Sequence, residues 1–143
     1  TWVMAWNRPD HVSHAFLAAD PAWALVYWDD VATIYVRRDA HPALAQRALR
    51  LIDPQALEAG VARLLSRHQR PGGDEALLAR LEHELLLLVQ AAPRSLRANG
   101  ALLIYYARRG PAYAERRDAV VRSLDAFAPD DPAIARLKAH LGL

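Results

Sequence analysis

The sequence predicts an α+β fold with its strands and helices segregated. A small βαββ unit comes first, and about six helices arranged in antiparallel hairpins follow it. Three observations carry this. Two runs rich in β-branched and aromatic residues, Ala24–Trp28 and Ala32–Val36, flank Asp29-Asp30. Such runs suit a half-buried pleated surface, and short polar residues between them suit a tight turn. After Arg38 the apolar rhythm changes from period two to helical spacing. Prolines at 54, 93 and 129 each follow a helical pattern, 39 and 36 residues apart. The resulting organisation is an α/β unit over 1–40 and a helical region over 41–143.

The chain can be taken in order. Thr1–Asn7 is short and apolar and reads as a strand stopped by Arg8-Pro9. Asp10 caps a helix over His11–Ala19, with Val12, Ala15, Phe16 and Ala19 on one face. A strand, a helix and a strand usually place the two strands parallel, and the hairpin adds an antiparallel partner. Three strands make a thin sheet. A strand at Thr1, which is not a natural start, suggests that further strands were cut away or come from a partner, and an unpaired edge of that kind invites association. Pro42–Leu51 reads as a helix with Leu44, Ala48 and Leu51 on a stripe. Asp53-Pro54 starts a helix to about Gln69, with Leu57, Val61, Leu64 and Leu65 inward. Asp74 caps Glu75–Ala91, whose leucines make it the helix expected to be most buried. Arg94–Arg109 follows, with small residues Ala98, Gly100 and Ala101 inviting close approach. Ala112–Phe127 and a helix from Asp131-Pro132 complete the chain.

Composition excludes several classes. The chain has 143 residues, 53% apolar and 24% charged, which excludes general disorder. Its 18 basic and 16 acidic residues nearly balance, and no long basic run points to nucleic acid. With no Cys, disulfides and Cys-based zinc sites are impossible. The longest apolar run, Leu85–Val89, is far short of the roughly 20 residues of a membrane span.

Two resemblances are carried by specific residues. R-A-N-G-A-L-L-I-Y-Y-A-R-R-G … S-L-D-A-F-A-P-D-D-P resembles a tetratricopeptide (TPR) unit, with Tyr106, Gly110 and Pro129 at motif positions. Arg117 and Leu124 stand where that motif has alanine, so the likeness, over roughly residues 54–143, is TPR-like. D-P-A-W-A-L-V-Y-W-D-D-V-A-T-I-Y-V-R-R resembles a soluble extracytoplasmic segment of bacterial polytopic membrane proteins similar to family-C glycosyltransferases. Trp23, Leu25, Val26, Tyr27, Asp29, Asp30, Ala32, Tyr35, Arg37 and Arg38 carry it, over about residues 1–55. The resemblance implies a membrane-bound parent whose catalytic carboxylates lie outside this piece. It therefore implies an extracytoplasmic, non-enzymatic module.

The expected function is protein interaction or assembly. A helical groove lined by the first helix of each pair would offer Leu96, Asn99, Leu103 and Tyr106 to a protein partner. The rival reading is a glycan or anionic lipid headgroup held by Trp28, Asp29, Asp30 and Arg37 at the hairpin. A third is a purely structural cap. No cofactor and no metal is expected. Asp29-Asp30 offers hard oxygens, but a turn is the simpler reading. D-H-x-x-H over Asp10–His14 lacks the further ligands zinc needs. His83 between Glu82 and Glu84 reads as a solvated polar strip. Arg37-Arg38, Arg108-Arg109 and Arg116-Arg117 could fork onto phosphate or carboxylate, although charged strand and helix ends explain them too. Trp2, Trp6, Trp23 and Trp28 read first as packing. No nucleophile–base motif is present.

Overall fold

The computed structural model describes residues 1–6, 12–68 and 73–143, with backbone alone over 12–15. The fold is α+β: a three-stranded antiparallel sheet and then the helices. The strands are β1 (Trp2–Trp6), β2 (Trp23–Trp28) and β3 (Ala32–Arg37), with α1 (Val12–Ala19) between the first two. Their order is β1-β3-β2. β1 and β2 therefore run in the same direction, as a strand–helix–strand unit requires, but β3 lies between them and every pairing is antiparallel.

The register fixes what each edge presents. Arg37 N–H donates to Thr1 O (3.1 Å), so Thr1 and Arg37 form a hydrogen-bonded pair. Antiparallel alternation then turns the N–H and C=O of Trp2 and Met4 away from β3, toward the open edge. On the other side Arg38 N–H donates to Ala22 O (2.9 Å), which turns Leu25 outward. Its carbonyl is met there by Leu49 N–H at 2.8 Å. A bulge at Val26 shifts the register beyond it.

The helices are α2 (Pro42–Ala45), α3 (Leu57–His68), α4 (Glu75–Ala91), α5 (Leu96–Arg109), α6 (Ala114–Phe127) and α7 (Pro132–Leu141). Asp74 caps α4 through Leu77 N–H, Ser95 caps α5 through Ala98 N–H, and Asp131 caps α7 through Ala133 and Ile134 N–H. Gly110 closes α5 at φ 88°, a conformation a side chain would strain. The helix expected over Pro42–Leu51 stops at Ala45. The chain beyond it exchanges helical bonds for tertiary ones: Leu49 bonds β2, and Arg50 and Leu51 bond the Glu84 carboxylate. The inward face expected of α1 is also displaced, because Phe16 is exposed and Leu17 is buried against the sheet.

The most buried helix is α5 rather than α4: Ala98–Tyr106 are buried without a break, whereas Leu86 on α4 is exposed. α5 packs against α3, α4, α6 and α7, and so has no solvent side. A Cβ added at Gly100 would meet Leu137 at 3.4 Å, so the small residue admits α7 closely. One apolar cluster joins the inner face of the sheet (Leu25, Trp28, Tyr35) to α3, α4, α5, α6 and α7. The change of secondary structure near residue 40 thus does not divide the core. A second, smaller cluster, Ala24, Val36, Ala45 and Ala48, covers part of the outer sheet face. Among the described residues no helix is long and apolar enough to cross a membrane.

Candidate functional site

The hairpin candidates are held in structural roles. Trp28 is 0% exposed, donates from Nε1 to Pro54 O (3.3 Å), and lies under the Arg97 guanidinium at 5.0 Å. No face of its ring is available to a sugar. Asp29 closes the turn: Oδ1 accepts from Val31 N–H (2.8 Å) and Ala32 N–H (2.6 Å), and Oδ2 from the Tyr27 hydroxyl (2.7 Å). Burial alone would raise its pKa, but these donors outweigh that and hold the carboxyl below its ordinary value. Asp30 accepts from Ser95 Oγ (2.8 Å), which ties the hairpin tip to the start of α5. Arg37 forks onto Asp39, with contacts of 3.0 and 2.6 Å. Asp29 and Asp30 share a shallow depression with residues 91–95, but Trp28 and Arg37 do not line it, so the four candidates do not form one site.

The groove candidates fare similarly. Asn99, Leu103 and Tyr106 are buried, because neighbours cover α5 on every side; only Leu96 is half-buried. Asn99 Nδ2 donates to Pro93 O (3.0 Å) and Ser95 O (2.8 Å), holding the turn before α5. Tyr106 donates to Glu82 Oε1 (3.0 Å), and burial followed by the Glu82 charge pushes its pKa up to about 12. These residues knit the core and do not line an open groove.

The polar strip on α4 also differs from its expectation. Glu82 binds Tyr106 and Arg116, and Glu84 is only 3% exposed. Glu84 accepts from Arg50 N–H (2.9 Å), Leu51 N–H (2.8 Å) and Arg80 Nε (3.1 Å). Its place was readable from spacing: it lies three residues after Leu81 and four before Leu88, on the inward stripe. Most arginines of the doublets are likewise engaged. Arg38 donates to Pro21 O and Trp23 O, Arg109 binds Glu75 and Tyr113, Arg116 binds Glu82, and Arg117 binds Asp118. His11 and Asp10 lie outside the described residues, as does the His14 side chain. No group of three potential metal ligands exists among the described residues.

Two features remain unspent. One is the open β1 edge, where Trp2, Met4 and Trp6 are 62, 62 and 64% exposed on one face. The other is a cleft of about 950 Å³ between β2, the 46–49 turn and α4, with an apolar lining and with Arg47, Arg80 and His83 at its polar parts. The cleft is not legible in the sequence, because Pro42–Leu51 carries a helical pattern where the structure has the 46–49 turn. The sequence matches no protein-family model, and no curated protein or solved structure matches it either.

Proposed function

We propose that this chain is a non-catalytic assembly module, carried on the extracytoplasmic face of a membrane protein similar to family-C glycosyltransferases. In this reading two copies associate through their β1 strands. The observation that supports it is the open edge of β1. The outward N–H and C=O groups of Trp2 and Met4 are those a second antiparallel strand needs. The large side chains of Trp2 and Met4 are exposed beside those groups. A β1–β1 pairing is self-complementary, so one patch serves both partners and closes the assembly at two. The helices support the scaffold part of the reading. α5 packs against α3 on one side and α7 on another while pairing with α4 and α6, as stacked helical hairpins do.

The experiment is light scattering on the purified chain across a range of concentration. The expected mass rises from 15.9 kDa to twice that value. Met4→Lys, which places a charge on the edge, should stay at the lower mass with an unchanged circular dichroism spectrum. A wild-type mass that never rises overturns assembly through β1. The membrane attachment is tested apart from it: apolar spans encoded upstream of Thr1 support it, and a complete gene without them removes it.

A further inference from the structure

The cleft beside β2 plays no part in assembly through β1, which lies at the opposite edge of the sheet. Its walls are apolar at Leu49, Leu87 and Ala91, and its polar groups include Arg47, Arg80 and His83. Glu84 is the acidic residue lining it, and that carboxylate is committed to two backbone N–H groups and to Arg80. Arg80 offsets Glu84, so the formal balance leaves one positive charge, on Arg47. Arg47 is exposed and has no acidic partner among the described residues. This sets it apart from Arg37, Arg109, Arg116 and Arg117, each already paired. A volume of about 950 Å³ suits a small molecule rather than a single ion.

From this charge balance we infer that the cleft binds an elongated apolar molecule ending in one anionic group, a carboxylate or a phosphate. The apolar body lies along Leu49, Leu87 and Ala91, and the head meets the Arg47 guanidinium, whose fork matches either anion. A neutral molecule of the same shape leaves the arginine unused. A compact anion leaves the apolar walls wet.

Calorimetric titration of the whole chain with octanoate, octyl phosphate, octanol and inorganic phosphate tests this. The two octyl anions should bind one per chain. Octanol should bind about tenfold more weakly or worse, matching the loss of one charge-assisted contact. Inorganic phosphate should show no saturable heat. Arg47→Glu should weaken both anions by about tenfold or more and leave octanol unchanged. Ala91→Trp, which fills the apolar end, should weaken all three octyl compounds. Both positions are exposed, so circular dichroism should match the wild type. Whichever anion binds more tightly identifies the head group. Absence of saturable binding by either anion, equal binding of octanol, or indifference to Arg47→Glu overturns the inference.

Discussion

At the β2 edge of the sheet, Leu49 N–H donates to the Leu25 carbonyl, and the next two N–H groups of that turn donate to the buried Glu84 carboxylate. At the β1 edge, Trp2 and Met4 carry outward-turned backbone groups with large side chains in water beside them. The same sheet thus has one edge sealed by its own chain and one left available. Residues 49–51 leave the helical ladder: Leu49 N–H goes to β2, and a carboxylate supplied from α4 accepts from Arg50 and Leu51. A buried carboxylate requires such donors, since an uncompensated charge there costs several kcal/mol. No comparable acceptor faces β1 among the described residues.

The two edges should differ most in the cost of losing a tryptophan. Trp28→Ala, on the sealed side, should cost about 3–5 kcal/mol in urea denaturation. Trp2→Ala, on the open side, should stay within about 0.5 kcal/mol at concentrations where the chain is a monomer. Equal effects would mean the edges do not differ as described. Next in size, Glu84→Ala should destabilise by about 3 kcal/mol, because two backbone donors and Arg80 lose a charged acceptor. Hydrogen exchange should then show lost protection at Leu49, Arg50 and Leu51 while α5 amides stay protected.

A smaller effect sits at the turn joining β2 to β3. Asp29 has its folded pKa held below the ordinary value. Its contribution is therefore fully present above the unfolded value near 4 and is lost as pH falls through the lowered folded value. Asp29→Asn should cost about 1 kcal/mol at neutral pH and flatten the acid limb of the stability profile below about pH 4. A profile unchanged by that substitution would show that the turn's hydrogen bonds do not depend on the charge.

What could be read from the sequence was what local chemistry decides. The run Glu75–Ala91 behind Asp74 forms a helix with those bounds, since its cap and periodicity agree. The hairpin around Asp29-Asp30 forms because Asp29 bonds the two residues that follow Asp30. What could not be read was decided by distant groups. Pro42–Leu51 has the stripe of a helix, but the N–H groups at its end go to distant acceptors, Leu49 to Leu25 O and Arg50 and Leu51 to Glu84, more than thirty positions on. α5 is the centre of the helical part although Asn99, Gly100, Tyr105 and Tyr106 lower its apolar character. Its depth comes from four neighbouring helices, which no local pattern reports. Trp28 and Tyr106 follow the same rule: distant partners, Pro54 O and Glu82, fix them within the packing.

The Glu84 bridge also has a consequence for the order in which the protein matures during synthesis. The turn at 49–51 and the carboxylate that holds it are separated by α3 and half of α4. A ribosome therefore releases the sheet well before the part that finishes it. Until α4 emerges, the Arg50 and Leu51 N–H groups beside β2 lack the carboxylate that accepts from them in the mature molecule.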